Sequence, residues 1–174
     1  EVTSVISQYV SMRFKRLKAE EFFDNHYLSI WAFLVGVAVI TLIMMGGGMA
    51  VTLLAILIDQ SSEHLTTDTF LALNFSFAGV MTLLLVIPNM MIVRGKPKAA
   101  EINLINIYFQ FLVYALGLFL LEDEHKLFFV SFVLFPIIAL WLMASTKYHT
   151  FVTYFSAIKK EPDSFREYFL KKSQ

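Results

Sequence analysis

Four long apolar stretches, none of which contains a charged side chain, alternate with short polar segments along the chain. They cover residues 28–58, 69–93, 102–121 and 127–146. The apolar core of a bilayer is about 30 Å thick, and about 20 apolar residues in a helix are enough to cross it. The pattern therefore predicts an all-α, polytopic membrane protein in which residues 27–146 form an antiparallel bundle of four transmembrane helices.

The first apolar stretch is longer than one upright span requires. As a single helix, residues 28–58 would extend about 46 Å. Gly46, Gly47 and Gly48 lie in the second half of this stretch. Glycine clusters favour kinks, and a helix that is too long for the bilayer can tilt. We therefore expect a kink, a tilt or an early end of the helix at these glycines.

The segments on either side of the spans also have helical patterns. Residues 1–26 predict an amphipathic helix, because apolar residues recur at helical spacing ahead of a basic cluster. The members of this cluster are Arg13, Lys15, Arg16 and Lys18. Such a helix either lies on the inner leaflet, where cations meet anionic lipid, or docks a partner protein.

Residues 147–174 predict a basic, aromatic tail made of two helical pieces that Pro162 separates. Ser164 followed by Glu167 fits a capping box at the start of the second piece. The residues of that piece that we expect to dock a partner or lipid are Phe165, Tyr168, Phe169, Lys171 and Lys172. A surface of this kind binds either the membrane or another protein.

The positions of the cations predict which way the chain is inserted. If the chain crosses the membrane four times, every Lys and Arg except Lys126 falls on the same side. The opposite loops, residues 59–68 and 122–126, are acidic. Cytoplasmic loops carry the excess of Lys and Arg in membrane proteins. We therefore expect a multi-pass protein of the cell inner (cytoplasmic) membrane with both termini in the cytoplasm.

Amide side chains interrupt the apolar spans and are the first candidates for a functional site. Asn103, Asn106 and Gln110 share one helical face, and Asn89 approaches them from the preceding span. One interpretation is a hydrogen-bonded clasp between the second and third spans, because amides join helices in lipid. The alternatives are a polar vestibule or pore lining that forms on oligomerisation, and a pocket for a lipid headgroup or another ligand.

Small residues form a second stripe on the first span. Its members are Ala32, Gly36, Gly47 and Ala50. Transmembrane interfaces are rich in such residues because they let two helix backbones approach closely. The stripe therefore predicts a packing surface for another helix.

Composition and charge exclude several kinds of chemistry. Charged residues make up 16% of the chain, whereas about 25% is usual in soluble domains. The chain has no Cys, so that disulfides, thiolate metal sites and cysteine nucleophiles are excluded. The spans contain no ionisable group of the kind that pumps and proton-coupled carriers require. We expect no catalytic site, no cofactor, no metal site and no direct binding of nucleic acid.

The length of the chain, its four spans and its cytoplasmic ends resemble two classes of bacterial protein. One class is the immunity proteins that protect bacteria against pore-forming colicins. The other is the small membrane subunits of anti-phage systems, such as the membrane component of Kiwa. The resemblance is one of architecture and implies a role in defence or immunity without assigning a role to any residue.

Together these features favour a non-enzymatic scaffold or sensor subunit of the bacterial inner membrane. We expect it to self-associate through its small and amide faces and to dock a cytoplasmic protein partner, surrounded by membrane lipids, within an anti-phage defence or toxin-immunity system. Two alternatives are a passive channel for ions or small solutes that forms by oligomerisation, and an immunity protein that binds a pore-forming toxin within the membrane.

Overall fold

The computed structural model describes residues 30–62, 65–121 and 123–160, and these residues form helices and no strand. The helices are α1 (Ile30–Ser61), α2 (Thr67–Val93), α3 (Ala99–Leu120), α4 (Asp123–Ser131), α5 (Leu134–Met143) and α6 (Thr146–Lys160). The predicted amphipathic helix at residues 1–26 and the aromatic part of the tail at residues 161–174 lie outside the described residues.

Within the described ranges, four segments are long and apolar enough to cross a membrane. They are α1, α2, α3 and the stretch Lys126–Met143, which runs through α4 and α5. The predicted all-α bundle of four spans is therefore confirmed. Helix α1 is the central element, because it packs against α2, α3, α5 and α6.

Helix α1 is continuous through its glycine triplet. Its 32 residues correspond to about 48 Å of helix. Of the three outcomes that we expected at Gly46–Gly48, a kink, a tilt or an early end of the helix, the early end does not occur. A glycine inside a helix costs about 0.5–1 kcal/mol relative to alanine, and close packing on two of these glycines compensates for that cost.

Pro136 explains why the fourth span consists of two helices. A proline has no backbone N–H, so that the carbonyl of Phe132 has no partner four residues later. This carbonyl instead accepts a hydrogen bond from the Phe135 N–H at 3.1 Å. The N–H groups of Phe132 and Val133 also bond three residues back, so that the chain tightens between α4 and α5.

The connections divide the charges between two ends of the bundle. At the end that we call the basic end, α2 turns into α3 through Arg94–Lys98, and α6 carries Lys147 and Lys159. At the opposite, acidic end, α1 connects to α2. There the Asp59 carboxylate accepts a hydrogen bond from the Leu65 N–H at 2.7 Å, and the Thr66 side chain caps α2.

Gly95 closes helix α2 with a left-handed turn at the basic end. Its φ is 77°, and the N–H groups of Gly95 and Lys96 bond to the carbonyls of Ile92 and Met91 at 2.8 and 2.9 Å. These two bonds define a Schellman cap, for which glycine is the preferred residue. Lys159 and the Phe155 carbonyl pack directly against Gly95, so that the turn also receives the end of α6.

Helix α6 packs back on the bundle at the basic end. Its Phe151 ring lies on Gly36 of α1, and Tyr148, Val152 and Ser156 are also buried. The Lys147 ammonium lies 5.5 Å from the centre of the Trp31 ring. Residues 147–160, which were expected to begin a separate tail, therefore share the core of the bundle.

Replacing Gly95 with alanine should destabilise the protein and loosen α6. A Cβ at position 95 would lie 2.8 Å from the Lys159 Cβ and 3.1 Å from the Phe155 oxygen. The left-handed backbone conformation alone costs about 1–2 kcal/mol for a residue with a Cβ. We expect the free energy of unfolding in mixed detergent micelles to fall by at least this amount, with faster tryptic cleavage at Lys159 and Lys160.

Gly79→Ala is the matched control, because no atom of the described residues lies within 4 Å of a Cβ at position 79. That variant should leave the free energy of unfolding unchanged or raise it by less than about 1 kcal/mol. Equal stability of the two variants would contradict the role assigned to the turn.

Candidate functional site

The most distinctive feature of the bundle is a cluster of amide side chains buried on the inner face of α3. Asn103 and Gln110 have 0% of their surface exposed, and Asn106 has 5%. Tyr114, one turn beyond Gln110, is also buried. Polar groups that leave water need hydrogen-bond partners, and in this chain α1 and α2 provide them.

Two hydrogen bonds join the cluster to the backbone of α1. The Gln110 Nε2 donates to the Ile43 carbonyl at 3.0 Å, and the Tyr114 hydroxyl donates to the Gly46 carbonyl at 2.8 Å. Each backbone carbonyl has two lone pairs. These carbonyls can therefore accept a bond from a side chain of α3 in addition to the bond within their own helix.

The glycines of α1 make this close approach possible. A Cβ on Gly46 would lie 2.5 Å from Gln110 Oε1, and a Cβ on Gly47 would collide with the end of Met81 and lie 3.2 Å from Gln110 Nε2. By contrast, no atom of the described residues lies within 4 Å of a Cβ on Gly48. The triplet thus combines two glycines that face the interior with one that faces outward.

One side-chain bond joins α3 to α2, and a second bond holds its acceptor in place within α2. The Asn103 Nδ2 donates to Asn89 Oδ1 at 3.0 Å, and the Asn89 Nδ2 donates to the Leu85 carbonyl at 2.7 Å. Asn106 is not part of this pair. Its Oδ1 instead accepts a bond from Gln110 Nε2 at 3.3 Å. The structure therefore brings all four predicted amides together as two linked pairs inside one chain.

Several polar atoms of the cluster have no hydrogen-bond partner among the described residues. They are Asn103 Oδ1, Asn106 Nδ2 and Gln110 Oε1. An unpaired buried polar group costs about 1–3 kcal/mol. The cluster is therefore less stable than a fully paired one would be, and these amide atoms can still form hydrogen bonds with another polar group.

Tyr148 of α6 extends the cluster toward the basic end. Its hydroxyl has no partner at good hydrogen-bond geometry within the described part of the chain. Burial raises the pKa of this hydroxyl, and the nearby side chain of Asn103 lowers the pKa by a smaller amount. Tyr148 thus stays a neutral O–H donor beside the amides.

The small-residue stripe of α1 is also occupied within the chain. Ala32, Gly36, Gly47 and Ala50 are all buried. Gly36 receives the Phe151 ring, and Gly47 receives Met81. The small and amide faces that were expected to join separate copies are thus covered by neighbouring helices of the same copy, since each span must first bury its own polar and small positions.

The sequence interpretation did not place Tyr148 and Ser156 with the bundle core. The sequence does contain a sign of this packing, because Tyr148, Phe151, Val152, Phe155 and Ser156 recur at helical spacing. The basic residues after the fourth span obscured this signal, because they favoured a tail that faces water.

The chemistry of the cluster is limited to hydrogen bonding. It contains amides and phenols and no acid or base that titrates near neutral pH. Among the described residues, no three His, Asp or Glu side chains come together in a way that could hold a metal ion. The cluster can therefore hold helices together or bind a polar group, and it has no component for proton transfer.

Comparisons with protein-family models, with curated proteins and with solved structures found no match to this chain. The resemblance to colicin immunity proteins and to the membrane component of Kiwa thus stays a resemblance of architecture.

The glycine triplet of α1 allows a test of the close contact with α3. Gly46→Ala should lower the free energy of unfolding by about 1–3 kcal/mol, the usual cost of overpacking. Gly48→Ala should leave stability unchanged or raise it by less than about 1 kcal/mol. Unfolding of both variants in mixed micelles, followed by circular dichroism, measures the difference. Equal effects of the two variants would contradict the conclusion that Gly46 faces α3 and Gly48 faces outward.

The hydroxyl of Tyr114 tests the contribution of one bond. Tyr114→Phe removes the bond to the Gly46 carbonyl and should lower the free energy of unfolding by about 0.6–1.7 kcal/mol. Tyr108→Phe on the exposed side of the same helix is the matched control and should have no effect. The same unfolding assay compares the two.

Proposed function

We propose that this chain is a non-enzymatic scaffold or sensor subunit of a bacterial inner membrane that associates with further copies of itself. The observation that carries the proposal is the exposed outer face of α2. Of the 18 most apolar consecutive residues in α2, 11% are buried, whereas the corresponding shares are 33% in α1 and 39% in α3. Helix α2 is therefore the span that the chain itself covers least.

The outer face of α2 contains small residues at helical spacing. Ala72, Ser76 and Gly79 are exposed along this face, and open space surrounds the position of a Cβ on Gly79 within the described part of the chain. The Ser76 hydroxyl is already bonded to the Ala72 carbonyl at 2.7 Å. A second helix could therefore approach closely without leaving a polar group unpaired.

Energetics in lipid favour this face over the rest of the surface. Lipid tails are as apolar as leucine, so that an exposed leucine or phenylalanine gives no drive for association. Small residues contribute because they permit backbone contact and dense packing. This reasoning moves the expected self-association from the amide faces to α2.

The position of the amides counts against a channel that they would line. Asn103 and Gln110 are enclosed by helices of one copy, so that they could reach a pore between copies only if the bundle opened. The exposed hydroxyls of Ser76 and Thr82 are bonded to carbonyls of their own helix. A scaffold or sensor therefore agrees better with these positions than a polar pore.

The proposed orientation follows from the charges. The positive-inside rule would place the basic end, with Arg94, Lys96 and Lys147, at the cytoplasmic surface together with both termini. The basic and aromatic residues of the termini would then be available to a soluble partner protein. A role in anti-phage defence or toxin immunity is the form of this function that the architecture favours most.

Cross-linking through introduced cysteines tests the association, because the chain has no Cys of its own. Two copies in one membrane are related by an axis along the membrane normal, so that equivalent residues of a shared α2 face meet each other. Oxidation of Ser76→Cys in native membranes should therefore give a disulfide-linked dimer on a non-reducing gel.

Leu112→Cys is the control, since Leu112 is exposed on α3 and lies at a comparable depth, about two and a half turns from the acidic end. It should give little dimer. Adding Gly79→Leu to Ser76→Cys should reduce the dimer. Equal cross-linking at positions 76 and 112 would show random collision and refute association through α2.

A further inference from the structure

A groove opens between α1, α2 and α6 at the basic end of the bundle. It has a volume of about 370 Å³, within the range of about 300–1,000 Å³ of small-molecule sites. Ile40 of α1 and Phe151 of α6 line it together with Val86, Met90 and Val93 of α2. Of the four clustered amides, Asn89 alone is among the residues that line the groove.

The lining and the position of the groove fit a hydrocarbon chain. Apart from Asn89 and Arg94 its side chains are all apolar. The residues from α2 belong to a membrane span and are partly exposed, so that the groove is open to the lipid around the bundle. A bilayer supplies acyl chains at this depth.

Two basic residues from different elements lie near the end of this groove. Arg94 of the turn is exposed and lines the groove, and it forms no ion pair with a carboxylate of the described residues. Lys159 of α6 packs against Gly95, the neighbour of Arg94. Long basic side chains at the end of a span extend toward the headgroups. The site is thus apolar along its length and positive at its mouth.

We propose that this groove binds one anionic phospholipid, with an acyl chain between α2 and Phe151 and the phosphate of the headgroup at Arg94 and Lys159. Arg forms strong paired hydrogen bonds with phosphate oxygens. The cations select an anionic headgroup over a zwitterionic one, and the apolar lining selects a lipid over a free phosphate. This site is inferred without self-association through α2, because the groove residues of α2 begin at Leu85, about 9 Å along the helix from Gly79 toward the basic end.

Lipid titration of the purified full-length chain in mild detergent tests the site. The probes are dioleoyl phosphatidylglycerol, dioleoyl phosphatidylcholine with the same acyl chains, and inorganic phosphate. Native mass spectrometry measures the retained lipid, and the shift in melting temperature measures stabilisation by a bound ligand. We expect phosphatidylglycerol to be retained and to stabilise the protein more than the other two probes.

Two variants separate the headgroup from the acyl chain. Arg94→Gln should weaken the binding of phosphatidylglycerol by about fivefold, the usual contribution of one cation near anionic lipid. Val86→Phe fills the groove and should reduce the binding of phosphatidylglycerol, although Arg94 and Lys159 are unchanged. Their matched controls are Lys98→Gln in the same turn and Val80→Phe on the exposed side of the same helix, and neither should change binding.

Three results would overturn the proposal. The first is equal binding of phosphatidylglycerol and phosphatidylcholine, which removes the role of the cations. The second is stabilisation by inorganic phosphate that matches that by phosphatidylglycerol, which removes the role of the acyl chain. The third is a loss with Arg94→Gln and none with Val86→Phe, which places the lipid on the surface outside the groove. The melting temperature of each variant without lipid reports whether it is folded.

Discussion

The rest of this structure depends on one constraint, which is that polar groups inside a membrane must find partners within the protein. Gln110 and Tyr114 satisfy it by donating to the backbone of α1 at Ile43 and Gly46. This is possible only where the two helices come very close, and glycine is the residue that allows it. The amides of α3 and the glycines of α1 therefore form a single helix–helix contact, in which each depends on the other.

The same contact determines which surfaces of the bundle remain exposed to other molecules. Because α1 lies in the centre and contacts α2, α3, α5 and α6, the small and amide faces are used up inside one copy. Helix α2 contacts the bundle on one side and exposes the other. The proposed association surface would then be a consequence of internal packing, since the most favourable interhelical contacts are satisfied first and the next best face remains outside.

Sequence patterns were sufficient for the spans, because hydrocarbon imposes a length and a composition that can be read directly from the chain. They also placed Asn89 near Asn103, which follows from a short turn between adjacent spans. At Gly46–Gly48 they left a kink, a tilt and an early end open, since a glycine cluster fits both a break and a close contact, and only the neighbouring helix distinguishes these. They failed to show that residues 146–160 fold back on the bundle, because helical periodicity identifies an apolar face without identifying what covers it.

The groove and the amide cluster share Asn89 and helix α6. These shared parts connect the surface at the basic end with the interior of the bundle. Asn89 borders the groove and accepts the hydrogen bond of Asn103. Helix α6 contributes Phe151 to the groove and Tyr148 beside Asn103. Coupling between two sites needs a packed element that both of them bias, and α6 is the helix that contacts both. A shift of α6 as a rigid helix would move Phe151 and Tyr148 together, relative to amides that have unused bonding capacity. The proposed sensor would in this way respond to a lipid or protein at its surface without an ionisable group in its four apolar stretches.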